Sequence, residues 1–206
     1  MSELTGPQSR PTDEEHAATA ASARVLTEAA MERLLQRIAQ GADASEGDTG
    51  SEYLLFACGE VPCAVALTDL REVLLTLPAV VAMPFSPPWL LGLFPLRTDL
   101  LGLVDPAPFV LAPDLREPDG ARNLTMTLIG EHDGVPLGLA ITAVGDIALV
   151  PSGALVPLTA SDRSPIAAPY AVGRYTSPQD GTVYTVVAMP RLVADLLDAL
   201  RKDAAP

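Results

Sequence analysis

Nine prolines lie between residues 78 and 118, and that density rules out a long helix through the middle of the chain. A proline has no backbone N–H and clashes with the preceding turn, so helix interiors reject it. Around them the apolar runs are short and cut by glycine and proline. Tyr53–Cys58 and Cys63–Leu67 flank Gly59-Glu60-Val61-Pro62, the pattern of a β-hairpin. Thr68 to Val73 reads as a short turn or helical segment, and Trp89–Leu96 and Leu100–Val104 as strands. Leu124–Ile129 and Leu137–Val144 flank residues 130–134, a second hairpin with an Asp-Gly turn signal. Tyr170–Gly173 and Thr182–Met189 make another strand pair. Pro190 then opens a helix over Arg191–Arg201, with Leu192, Val193, Leu196, Leu197 and Leu200 as its apolar stripe. Many short strands and one terminal helix predict small β-barrels or a sandwich. Residues 53–105 and 124–189 each hold a hairpin and later strands, the outline of two similar halves.

The N-terminal region, residues 1–50, has a different texture. Residues 1–11 are polar, with Pro7 and Pro11, and are expected to be disordered. Thr12-Asp13-Glu14-Glu15 has the form of a capping box, and an alanine-rich run follows to Gln40. Leu26, Ala30, Met31, Leu34, Leu35 and Ile38 recur at three- and four-residue steps, with Arg24, Glu28, Glu32, Arg33, Gln36 and Arg37 on the other side. This predicts an amphipathic helix over about 12–40, stopped at Gly41 and followed by an acidic linker to Gly50. Its interaction face is Leu26, Met31, Leu34, Leu35 and Ile38. That face can dock on the chain's own domain, pair with another protomer, or recruit a partner helix.

Composition bounds the function. At 206 residues, 49% apolar and 19% charged, residues 51–206 are enough for one folded domain with a real core. A net charge of -13 repels phosphate backbones and anionic membranes, so no nucleic acid and no membrane insertion are expected. Aromatics at 4% are too few for a base-stacking platform. No apolar run reaches the length of a membrane span, and the N-terminus lacks the basic and apolar regions of a signal peptide. A soluble cytoplasmic protein is the expectation. Twelve arginines against one lysine and one asparagine fit a GC-rich bacterial coding bias.

Residues able to do chemistry are sparse. No phosphate-binding, zincin or nucleophile-elbow motif is present. His16 opens the N-terminal helix, and His132 lies in a turn between Glu131 and Asp133, three neighbours that diverge rather than converge on one ion. Cys58 and Cys63 flank a hairpin connection, where a disulfide is conceivable, but two buried thiols are the expected state in a reducing compartment. Asp99 and Asp105 flank a strand-like run that holds them roughly 20 Å apart, too far to share a reaction, so both read as turn residues. Asn123-Leu124-Thr125 matches a glycosylation sequon that has no meaning without secretion. No catalytic set, cofactor site or metal site is predicted, and no enzyme. Arg97 stands by itself after the apolar run 91–96, either capping a strand end in water or anchoring a partner.

The order of these pieces resembles the CheW-like domain family, the adaptors of bacterial chemosensory arrays. The opening hairpin at 53–67 is followed by Leu70-Arg71-Glu72-Val73, similar to the family's V-x-E-I/V segment. Residues 84–92 resemble its P-x-x-P-x-x-x-x-G segment, and Leu96-Arg97 falls on the Leu-Arg of its N-L-R-G motif. Residues 100–105 resemble its I-x-P-V-x-D strand, and 138–144 its G-L-x-V-D-x-V strand. Val172-Gly173 with Thr185–Leu192 resembles the closing pattern. Departures are Pro95-Leu96-Arg97-Thr98 at N-L-R-G, Thr142 at the aspartate of the V-D strand, and the loss of the closing aspartate near Met189.

The resemblance implies a mostly β fold of two SH3-like five-stranded barrels with a C-terminal helix. It implies a non-enzymatic scaffold that couples a chemoreceptor or other sensor to the regulatory domain of a CheA-type histidine kinase, with self-association as a further option. The receptor-facing residues it implies are Leu70, Glu72, Gly92 and Arg97. The departures and the N-terminal extension leave an alternative, a specialised paralogue in motility or pilus control with altered or lost kinase binding.

Overall fold

The computed structural model describes residues 50–116, 123–159 and 162–203. The predicted helix over 12–40, with Leu26, Met31, Leu34, Leu35 and Ile38, lies outside the described residues.

Eleven strands form two sheets among the described residues. In chain order they are β1 (Gly50–Cys58), β2 (Val61–Ala66), β3 (Leu70–Leu74), β4 (Leu90–Leu96), β5 (Asp99–Val104), β6 (Met126–His132), β7 (Val135–Ile141), β8 (Ala143–Pro151), β9 (Val156–Pro157), β10 (Ala171–Thr176) and β11 (Val183–Val187). A single-turn helix, α1 (Ala107–Val110), follows β5, and α2 (Met189–Asp203) closes the described chain. The first sheet runs β8-β1-β2-β11-β10-β9 and the second β3-β6-β7-β5-β4.

The two sheets repeat one plan. In the first, β1 pairs antiparallel with β2 and with β8, and β2 runs parallel to β11. In the second, β6 pairs antiparallel with β7 and with β3, and β7 runs parallel to β5. The two similar halves are therefore real, but they do not each form their own sheet. The leading hairpin of each half, β1–β2 or β6–β7, completes the sheet built from the other half's later strands. The exchange leaves β8 and β9 at the edges of the first sheet and β3 and β4 at those of the second.

The largest buried cluster joins the sheets. Leu54, Phe56 and Val65 from the first meet Leu128, Leu139 and Ile141 from the second, with Met189, Leu192, Val193 and Leu196 of α2 over them. Helix α2 begins at Met189, with Pro190 in the first turn where a missing N–H costs nothing. It packs so closely on β6 that a Cβ on Gly130 would lie 2.7 Å from Val193 Cγ2. Smaller clusters fill each sheet separately, around Leu55 and Tyr175 in one and Phe94 and Leu101 in the other.

Two local expectations change. Thr68 to Val73 is not one turn or helix: a 3₁₀ turn at Leu67–Asp69 leads directly into β3. The hairpin loop between β1 and β2 is only Gly59-Glu60, so Cys58 faces Val61 and Cys63 faces Phe56 rather than each other. Both cysteines are buried, and they form no disulfide.

Candidate functional site

At one end of the second sheet, β3 approaches the β4–β5 hairpin. A bulge in β3 decides which side chains face out. Leu70 pairs with Gly130 and Glu72 with Ile129, leaving Arg71 as the extra residue. The bulge lets Arg71 and Glu72 both point away from the core while Leu70 and Val73 are both buried, which plain alternation forbids.

Arg97 is the first of two loop residues between β4 and β5, held at a φ of 56°. Its Nη2 lies 3.1 Å from Glu72 Oε2, with the arginine side chain 73% exposed and the glutamate 24%. Arg97 is thus not isolated: it is paired, with most of its guanidinium still in solvent. Arg71 donates from Nη1 to Glu131 Oε2 at 3.1 Å and from Nη2 to Asp99 Oδ2 at 3.3 Å. Two guanidiniums and three carboxylates therefore interlock on one exposed face. On the same hairpin, exposed Pro95 and Leu100 are cross-strand partners.

The segment between β3 and β4 lies along β4. Val81 exchanges backbone hydrogen bonds with Leu93, at 2.8 and 2.9 Å. Gly92 makes this approach possible. Its φ is 148°, and a Cβ there would sit 2.6 Å from the Val81 carbonyl oxygen. Further on, Phe85 is fully exposed at a φ of 60°, above a turn in which the Ser86 hydroxyl donates to Met83 O at 2.9 Å. The far end of the segment is pinned by Trp89, packed edge-to-face on Phe109 with centroids 5.0 Å apart.

Of the four residues expected to face a receptor, Glu72 and Arg97 meet directly. Leu70 is core, and Gly92 is buried as the seat of Val81. Arg71, Glu131, Phe85 and Leu100 were not among the expected site residues. An aromatic between prolines, Pro84-Phe85-Ser86-Pro87, was the one signal in the sequence that could have marked Phe85.

The ionisable residues weighed for chemistry have local partners. Asp105 Oδ1 accepts from Ala107 N–H at 3.0 Å and shapes the entry to α1, as a turn residue does. His132 Nε2 is 3.4 Å from Asp133 Oδ2, while Glu131 turns to Arg71. No group of three or more metal-ligating side chains gathers among the described residues. Burial pushes the Cys63 thiol well above its ordinary pKa, with the neighbouring Cys58 adding to the shift. Burial also raises the Asp69 carboxyl. Thr142, at the position of the family-type aspartate, accepts from Gly59 N–H at 2.8 Å and so ties the β1–β2 turn to β7's end. No helix among the described residues is long and apolar enough to cross a membrane.

Comparison with curated proteins finds no match. Among solved structures, the chain is similar to the scaffolding protein TtCheW from Thermoanaerobacter tengcongensis, with a TM-score of 0.57 at 17% identity. The likeness covers 69% of this chain and 92% of that one, and it shows a shared fold. The profile of the CheW-like domain matches residues 52–196, well over half the sequence. A mostly β fold of two interlocked sheets, a closing helix and this match together place the chain in the CheW-like domain family.

Proposed function

We propose that the chain is a non-enzymatic chemosensory adaptor that holds a chemoreceptor, or another sensor, and the regulatory domain of a CheA-type histidine kinase in one assembly. Family membership and the likeness to a scaffolding protein support the adaptor role. The observation that carries the contact surface is Arg97. Glu72 fixes its orientation, yet 73% of its side chain remains exposed at the tip of a hairpin that also exposes Pro95 and Leu100. A preset guanidinium on such a hairpin can bind a carboxylate-bearing helix with little loss of its own freedom. Leu70 and Gly92 act beneath this surface by fixing β3 and the 80–81 segment.

The test is capture of a purified receptor signalling fragment and a kinase regulatory domain by the wild-type chain and by Arg97→Glu. The substitution abolishes receptor capture and leaves the far-UV spectrum and melting temperature near wild type. Equal capture by both proteins removes Arg97 from the interface. Capture of receptor without kinase favours the specialised paralogue instead.

A further inference from the structure

The β4 edge of the second sheet is covered by residues 79–83, and that segment leaves an edge of its own. Val81 uses both its N–H and its carbonyl on Leu93. Backbone groups alternate sides along an extended chain, so those of Val80 and Ala82 point the other way, off the sheet. Among the described residues they take no backbone partner. Val81 is 73% exposed, and Ala79, Ala82 and Met83 are exposed with it. An unpaired edge lined by exposed apolar side chains is a template for one more strand.

Two observations identify that strand as the same segment of a second copy. The first is charge. The chain has a net charge of -13, so copies repel one another over most of their surface, yet residues 73–96 hold no ionisable side chain. The second is the residue order in Pro78-Ala79-Val80-Val81-Ala82-Met83-Pro84. When two such segments run antiparallel about a two-fold axis at Val81, Ala79 of each faces Met83 of the other, and Val80 faces Ala82. Each larger side chain meets a smaller one across the pair. Val80 and Ala82 then exchange N–H and carbonyl groups, the same groups that point off the sheet. Pro78 falls opposite Pro84, and neither has an N–H to leave unpaired, so the pairing stops at the same point at both ends.

We propose that residues 79–83 pair as an antiparallel strand with the same residues of a second copy, joining the two second sheets edge to edge about a two-fold axis at Val81. That symmetry closes the contact at a dimer. A segment this short makes a small interface, so the dimer is weak and reversible. Arg97 lies four residues beyond Leu93, roughly 13 Å further along the strand direction, and stays outside the pairing.

Sedimentation velocity on the full chain tests it, from about 10 μM to about 1 mM, where an interface of this size associates. Wild type passes from monomer to dimer over that range. Val81→Lys and Val81→Glu each set like charges against each other on the axis and weaken association at least about tenfold. Residue 81 is exposed and holds Leu93 through its backbone, so both variants keep the far-UV spectrum and melting temperature of wild type. An equimolar mixture of the two dimerises again, because opposite charges then meet on the axis. Ala82→Pro removes an outward N–H and no bond to Leu93, and it weakens association as much. That variant decides alone should a charge at position 81 disturb the fold. A wild-type chain still monomeric at the top of the range overturns the proposal. So does a dimer that the variants leave intact, which lies on another surface. A mixture that fails to associate overturns it too, because the axis is then not at Val81.

Discussion

Glu72 lies in β3 and Arg97 in the loop after β4, the strands at opposite ends of the five-stranded order, yet their side chains meet at 3.1 Å. Arg71 repeats the connection from β3 to Asp99 at the start of β5. The second sheet curls until its two ends are joined by guanidinium–carboxylate contacts instead of a backbone ladder. These contacts are exposed, so each is worth at most about 1 kcal/mol. Their larger effect is to fix the direction in which Arg97 points.

Reversing that pair separates its two roles. Arg97→Glu sets two carboxylates against each other and lowers stability by about 0.5–1 kcal/mol in urea denaturation. Adding Glu72→Arg restores an opposite-charge pair and recovers that loss. Receptor capture stays absent in the double variant, because a partner that reads the sign of residue 97 meets the wrong charge. Capture regained by the swap would mean that the pair serves only the chain itself.

Phe85 combines full exposure with a left-handed backbone. Bulky residues pay about 1–2 kcal/mol there, whereas asparagine tolerates it. Phe85→Asn therefore melts at or above the wild-type temperature and binds a partner at least tenfold more weakly in titration calorimetry. A lower melting temperature with unchanged affinity would assign the ring to the fold instead.

Gly92→Ala acts through the fold. The added Cβ collides with the Val81 carbonyl, which belongs to backbone and cannot step aside as a side chain would. Together with the unfavourable φ this costs about 2–4 kcal/mol. Chemical denaturation measures the cost, and hydrogen exchange at Val81 and Leu93 should rise before that of β6. A destabilisation below about 1 kcal/mol would show that the 80–81 segment moves away freely.

Most hairpin strands and the closing helix were legible because their signals are local, whereas β3 read as a turn or helical segment and most of β8 and all of β9 went unread. Alternating apolar residues, Gly59 and the Asp133-Gly134 turn mark hairpins without reference to anything distant. The exchange of hairpins between halves was hidden, since the parallel pairs Cys63–Thr185 and Leu103–Gly138 join residues far apart in the chain. The site was half visible for the same reason. Arg97 stood out by its apolar neighbours, but its pairing with Glu72 depends on a bulge at Arg71, and no residue type announces a bulge. Leu70 carries a family resemblance and is core. Matching a motif locates a segment but does not say which of its side chains face out.

Cys58 and Cys63 give a chemical test of the core. Burial, then the neighbouring Cys58, raises the Cys63 pKa, so little thiolate forms at neutral pH. A disulfide reagent should therefore titrate neither thiol in the native chain and both in guanidinium chloride, since both are buried and neither is in a disulfide. Fast reaction under native conditions would reveal opening of the β1–β2 hairpin.

Asp69 predicts a pH dependence of definite sign. Burial raises its carboxyl above the unfolded value of about 3.9, so the folded chain binds the proton more tightly than the unfolded one. Below the unfolded value both states are protonated and Asp69 costs nothing. As pH rises through the unfolded value and then the raised folded value, stability falls, and the cost persists at neutral pH. Asp69→Asn removes the charge and nearly keeps the shape. It should be more stable than wild type at about pH 7 and indistinguishable from it at about pH 3, with the difference opening just above the unfolded value. A difference of the same size at both pH values would trace the effect to packing at the Leu67–Asp69 turn and not to the half-buried charge.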